Sequence, residues 1–214
     1  AGEIASFLWQ RLVERGLGDI GQRFARIQPR LRAVEQLEQP RIEQDGEDGR
    51  GQQHVLRLLR HHVLRHAHAE TATAGQDDAE RALSLRGEAE ADAAGAWLKE
   101  HAVTPQCVLC SSAARARETC ERVLGILGYA DMRSDARIYD ATPAVLIRVL
   151  EEHADAGCVL LVGHNPGLEN LVALLTEGAS DAGRGMPPAA VMWLTLPAGD
   201  IEPGTAEVRH FWWP

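Results

Sequence analysis

The feature that most constrains this chain is its punctuated alternation. From about His54 onward, short apolar runs alternate with segments of helical spacing, separated by turn residues. "CVLLVG" (158–163) is the clearest run and reads as a central strand. "QCVLCS" (106–111) reads as a second buried strand, residues 61–65 as a short and unusually polar one, and "ARIYD" (136–140) as another. Between them lie helices. In 84–101, Ser84 can cap the start, and Leu85, Ala89, Ala93, Ala96 and Trp97 form one apolar face. Residues 113–127 form a helix stopped by Gly128. Residues 142–153 open with Thr142 and Pro143, and 168–178 end at a glycine. "AVMWLTLP" and "AEVRHFWW" are late strands and a candidate pair. The alternation predicts an α/β fold, a three-layer α/β/α sandwich with a mainly parallel central sheet.

Residues 1–53 differ in character. Phe7, Leu8, Leu12 and Val13 have helical spacing, but Pro29 and Pro40 interrupt it. "EQDGEDGRGQQ" (43–53) is a polar, glycine-rich linker. We read 1–53 as an N-terminal extension, helical or partly disordered, and 54–214 as the functional domain. The chain begins at Ala1 rather than methionine, which points to a fragment or a misplaced start.

A net charge of −9 argues against a dedicated nucleic-acid binder and against docking on an anionic membrane. No apolar run approaches the length of a membrane span. Lys99 is the only lysine, so positive charge rests on arginine, much of it compositional bias. Cys107 and Cys110 form a C-x-x-C, but positions three apart on a strand face opposite sides, and no second pair completes a zinc site. The cysteines show no disulfide framework and no signal peptide is visible, so a reducing cytoplasm is expected.

Three expected strand ends carry the same kinds of residue: Arg65-His66-Ala67-His68, then Ser111-Ser112-Ala113-Ala114-Arg115-Ala116-Arg117, then Gly163-His164-Asn165-Pro166-Gly167. In an open parallel sheet, ligands bind where the carboxyl ends of strands meet loops. If the strands are neighbours, two histidines and two or three arginines converge, with no acid obliged to neutralise them. Such a pocket suits a dianion, and phosphate is the obvious one. The helix beginning near Leu168 would add its N-terminal dipole.

"LRHAHAE", "SSAARARET" and "VGHNPGLENL" resemble the three signatures of the histidine phosphatase superfamily, best matching its small branch of SixA-like phosphohistidine phosphatases. The resemblance spans 61–214 and implies a histidine phosphatase-like fold. It implies that His66 is the nucleophile, forming a phosphohistidine intermediate. Arg65 and Arg115 match the arginines that grip the phosphoryl oxygens, and His164 matches the second histidine, which donates to them as charge shifts. Arg117, offset from Arg115 by two positions, belongs to another helix face.

Asp140 is a candidate general acid, with a turn or capping role as its alternative. Glu70 and Asp77 are poorer candidates. His68 is either a substrate contact or merely exposed. His54, His61 and His62 lack, with His66 and His68, the spacing and supporting carboxylates of a metal site, so no metal or other cofactor is expected. The short segments between strands suggest an open site, hence phosphohistidine on a signalling or phosphotransfer protein as substrate. The alternatives are a phosphomonoesterase for a small phosphorylated metabolite and a non-catalytic phosphate-binding module.

Overall fold

The computed structural model describes residues 58–128, 132–180 and 185–214. The expectations for 1–53 and for His54 fall outside them. Six strands form one sheet: β1 (Leu58–Arg65), β2 (Cys107–Ser111), β3 (Arg133–Asp135), β4 (Cys158–Gly163), β5 (Val191–Pro197) and β6 (Glu207–Trp212). Four helices intervene: α1 (Leu85–Glu100), α2 (Ala114–Leu127), α3 (Pro143–Glu151) and α4 (Gly167–Glu177).

The sheet order is β3-β2-β4-β1-β5-β6. The pairs β3–β2, β2–β4 and β4–β1 are parallel, while β1–β5 and β5–β6 are antiparallel. The late strands do pair with each other, as expected. β4 lies between β1 and β2, so the three candidate junctions are carried by adjacent strands, all parallel, with their carboxyl ends on one edge.

Both faces of the sheet are covered, which is why the central strands read as continuous apolar runs. On one face Val63, Leu109, Val159 and Leu161 pack with Leu146 and Val149 of α3 and Leu171 and Leu175 of α4. On the other, Leu64, Val108, Leu160 and Val162 pack with Ala94 and Leu98 of α1 and Cys120 and Val123 of α2. Truncating a fully buried leucine such as Leu161 to alanine costs about 2–5 kcal/mol in such a core. Cys107 belongs to the first face and Cys110 to the second, as strand alternation requires. The four cysteines are buried.

Helix starts and stops follow local chemistry. Ser84 Oγ accepts from Gly87 N at 3.1 Å and caps α1. Pro143 occupies the first turn of α3, where its missing N–H is not needed. Gly128 and Gly178 end α2 and α4 with φ of 78° and 75°, a left-handed conformation that glycine adopts without strain.

Three expectations are corrected. The buried stripe of α1 is Gly87, Ala91, Ala94, Gly95 and Leu98, and Leu85 is 83% exposed. The stripe is made of small residues because α1 packs closely: a Cβ on Gly87 would lie 1.9 Å from the His68 carbonyl oxygen. Trp97 lies at the flank, where it stacks on Trp212 and His101. Residues 136–140 are not a strand. β3 precedes them, and Ala136–Ile138 form a 3-10 turn that Asp135 caps by accepting from Arg137 N at 2.8 Å. β1 begins three residues earlier than expected, and its polar pair is internal: His61 and His62 are both buried, on opposite faces of the strand.

Candidate active site

His66 directly follows β1, and its backbone is fixed from both neighbouring strands. His66 N donates to Gly163 O of β4 at 3.0 Å, and His66 O accepts from Ala189 N at 3.2 Å. Its ring Nδ1 lies 2.7 Å from Ala67 O. A carbonyl can only accept, so Nδ1 carries the proton and Nε2 keeps its lone pair. Ala67 N in turn donates to Thr119 Oγ1 at 3.1 Å, and that hydroxyl donates to Arg115 O at 2.7 Å. Thr119 therefore couples the backbone beside His66 to α2.

Arg115 lies in the first turn of α2, nearly buried. Its Nε is 3.3 Å from His66 Nε2. The far edge of the same guanidinium is occupied: Nη1 donates to Asp78 O at 2.6 Å and Nη2 to Asp78 Oδ2 at 2.8 Å. Asp78 also accepts from Arg81 Nη1 at 2.8 Å and from Tyr139 Oη at 2.8 Å. The bonds from Arg81, Tyr139 and Arg115 hold its carboxyl well below the usual carboxylate range.

His164 follows β4. Its ring centroid is 4.8 Å from that of His66, and it packs T-shaped against Tyr139 at 5.3 Å between centroids. His164 Nε2 and Ser111 Oγ share a hydrogen bond of 2.7 Å, and Nδ1 is buried without a protein partner. Ser111 Oγ also accepts from Ala113 N at 3.4 Å, and its hydroxyl hydrogen is available to be given to Nε2. Burial pushes the His66 imidazole down to about 3, the bond to Ala67 opposing and His164, Arg115 and Arg65 adding to it. Burial likewise pushes His164 down to about 4. Both rings are therefore neutral at neutral pH.

Arg65 ends β1. Its Nη1 donates to Met186 O at 2.5 Å and its Nε is buried without a partner. Met186 O also accepts from Asn165 Nδ2 at 3.1 Å, and the same nitrogen donates to Glu169 Oε2 at 2.9 Å. The turn after β4 is tightly seated: a Cβ on Gly167 would lie 2.3 Å from the Ala141 carbonyl oxygen.

The structure thus brings His66, Arg115 and His164 together, with Arg65 at the end of the same strand. One expectation fails, that no acid would neutralise the arginines. Asp78 is bonded to Arg115, and burial lowers the pKa of Arg65 while the charges of Glu169 and Glu90 oppose that shift. His68 gives Nδ1–H to Glu90 of α1 at 2.6 Å, its ring one-third exposed. Asp140 is exposed, with a φ of 50° in the turn before Thr142. Its neighbour Tyr139 makes the contacts to the site. Asp77 caps the 3-10 turn Asp78–Glu80 by accepting from Ala79 N at 3.0 Å, and the Glu70 carbonyl accepts from Arg81 Nε at 2.8 Å. Arg117 is exposed and bonds Ser112 O at 3.0 Å, away from Arg115.

Ser111, Asp78 and Tyr139 carry roles that the sequence reading did not assign. Asp78 and Arg81 have the i, i+3 spacing of a charge pair, the one local signal in that loop. Nothing local marks Tyr139. Among the described residues no group of histidine, cysteine and carboxylate side chains is arranged to hold a metal ion, and no helix is long and apolar enough to cross a membrane.

Paired neutral histidines flanked by arginines, at the carboxyl edge of a parallel sheet, are the groups that a phosphoryl-transfer site requires. The family model of the histidine phosphatase superfamily, branch 1, matches residues 61–143. An uncharacterised protein of Mycobacterium tuberculosis is 33% identical over 147 residues, spanning 64% of this chain and 91% of that protein. The structure of a phosphohistidine phosphatase SixA from Agrobacterium tumefaciens superposes with a TM-score of 0.63 at 25% identity, covering 73% of this chain and 99% of that one. A SixA structure from Nakamurella multipartitia gives a TM-score of 0.63 at 27% identity, covering 73% and 96%. The chain belongs to the histidine phosphatase superfamily. It is a phosphatase that works through histidine, with SixA phosphohistidine phosphatases among its structural relatives.

Proposed function

We propose that this phosphatase removes the phosphoryl group from phosphohistidine displayed on a protein, with His66 as the nucleophile. The observation that carries the assignment is the 2.7 Å bond from Nδ1–H to Ala67 O, which leaves the lone pair of Nε2 facing Arg115 Nε. Nε2 attacks phosphorus, the P–N bond of the substrate breaks, and its electron pair departs with the leaving imidazole. Water then attacks the phosphohistidine on His66 and releases phosphate. Splitting the displacement in two lowers each barrier.

Arg115 and Arg65 supply charge to the phosphoryl oxygens in both the bound and the transition state. His164 supplies Nδ1–H. With Ser111 donating to its Nε2, the ring proton sits on the nitrogen that has no protein partner. That donor strengthens as charge builds on the oxygens, which accelerates the step. An imidazole leaves more readily than an alkoxide, so the scheme makes little demand on a general acid, and Asp140 is given no step. His68, bonded to Glu90, is assigned to the wall of the site rather than to the chemistry.

Residues 66–84 join β1 to α1 and residues 164–166 join β4 to α4, and these connections are short. Asp78 stands half exposed beside Arg115, and a site edge that meets solvent suits a phosphoryl group presented on the surface of a signalling or phosphotransfer protein. Four buried cysteines whose spacing makes no disulfide framework fit a reducing compartment, the cytoplasm.

The test is phosphate release from phosphohistidine peptides against a panel of sugar and nucleotide phosphates, with rapid acid-free denaturation to trap the phosphoenzyme. Preferred turnover of the peptides, with base-stable, acid-labile label on the His66 peptide, is expected. Faster turnover of a small metabolite would overturn the substrate assignment. Label on a cysteine would overturn the nucleophile.

A further inference from the structure

Asp78 is the feature of the site that phosphoryl transfer by two histidines and two arginines leaves unexplained. An anion beside the phosphate-gripping Arg115 weakens the grip on a dianion, yet three side chains hold it in place. Its position suggests a use. Arg115 Nε faces His66 Nε2, and Asp78 sits on the opposite edge of that guanidinium. The Arg115 side chain is 8% exposed and that of Asp78 51%, so Asp78 lies on the solvent side. Displacement at phosphorus is in line, so the leaving group departs on the side away from His66, toward solvent and toward Asp78.

The carboxylate also has capacity to spare. It offers about four lone-pair directions. Oδ2 accepts from Arg115 and Tyr139, and Oδ1 accepts from Arg81. One direction on Oδ1 remains, on a half-exposed group.

Resting on the reading of His66 as nucleophile, we propose that Asp78 reads the leaving group: its carboxylate accepts a hydrogen bond from the ring nitrogen of the substrate imidazole that does not carry phosphorus. A phosphoimidazole protonated on that far nitrogen breaks its P–N bond to give neutral imidazole. The electron pair goes to the nitrogen that held phosphorus, the far nitrogen keeps its proton, and no acid has to deliver one. A fixed carboxylate favours that protonated form. It disfavours leaving groups that depart as anions. The three donors that hold Asp78 ionised suit an acceptor and not an acid. Asp78 thus makes the enzyme selective for phosphoramidates of imidazole over phosphate esters.

The probes are phosphoimidazole and p-nitrophenyl phosphate, whose leaving group departs as an unprotonated anion. In Asp78→Asn, the ratio of kcat/KM for phosphoimidazole to that for p-nitrophenyl phosphate should fall about ten- to a hundredfold, the scale of a lost charge-assisted hydrogen bond. Equal falls with both probes would mean that Asp78 only positions Arg115, and would overturn the proposal. A second measurement needs no variant. The unaltered protein should turn over phosphoimidazole faster than its analogue methylated on the far nitrogen, which has no N–H to give, although the methylated compound is intrinsically the more reactive. Equal or faster turnover of the methylated compound refutes the idea. Trapped label separates the two layers: label on His66 with an unmoved ratio sinks the Asp78 inference alone, and no label on His66 from either donor sinks the nucleophile reading beneath it.

Discussion

Ser111 Oγ and His164 Nε2 lie 2.7 Å apart, so the last residue of β2 holds the ring that follows β4. The contact joins two parallel neighbours at their carboxyl edge, where the proposed mechanism binds the phosphoryl group. Ser111→Ala should therefore cost activity without touching substrate. The buried imidazole loses its partner, worth about 1–3 kcal/mol of stability, and its proton is no longer confined to Nδ1. Steady-state kinetics should show kcat falling about tenfold with KM little changed, since the lost order matters most when charge develops. A large rise in KM with kcat intact would contradict this.

His164→Ala removes the donor and leaves the attacking atom in place. Label should still accumulate on His66, but about a hundred- to a thousandfold more slowly, the usual loss for one such donor. Arg115→Ala should raise KM as well as lower kcat, because the guanidinium contacts phosphate in the ground state too. Quench-flow labelling followed by peptide mapping distinguishes the two variants.

Acid should unfold this protein through its interior histidines. His61 Nδ1 and His62 Nε2 are buried without partners, and burial pushes each ring from 6.5 down to about 4. Between those values the unfolded chain binds protons that the folded chain refuses. Stability is thus complete above the unfolded value and declines as pH falls from 6.5 toward 4, by at most about 3 kcal/mol per histidine. His66 and His164 add to the same trend. Urea titrations at about pH 7.5 and about pH 4.5 measure it, and His62→Leu should flatten the difference.

Turnover should survive a chelator. Arg65 and Arg115 supply the positive charge that a metal ion provides in other phosphoryl-transfer sites. Activity abolished by chelation and restored by zinc or magnesium would refute this.

The sheet and the four residues at its edge were legible because strand ends announce themselves. "SSAARAR" and "VGHNPG" follow apolar runs that read as strands and "LRHAH" ends a more polar one, and a parallel sheet brings such ends together. What was not legible lies in segments with no period. Asp78 meets Arg115 and Tyr139 across 37 and 61 positions of sequence, and no local pattern encodes such a contact. Tyr139 was hidden by reading 136–140 as a strand, where β-propensity competes with a 3-10 turn fixed by Asp135. The face of α1 was misread because alanine surrounds the helix. Close approach at Gly87, and not hydrophobicity, chose the buried side.

The strand order has a bearing on biogenesis. His66 and Arg115 follow β1 and β2, which do not touch each other; β4 separates them. A chain emerging from the ribosome with only its first two strands has no scaffold on which nucleophile and arginine can meet. They come within reach when β4 inserts, and the same insertion delivers His164 and the carbonyl of Gly163 that holds the His66 backbone. A nascent chain therefore cannot assemble this edge before β4 is in place, and the Met186 and Ala189 contacts that hold Arg65 and His66 are added only afterwards.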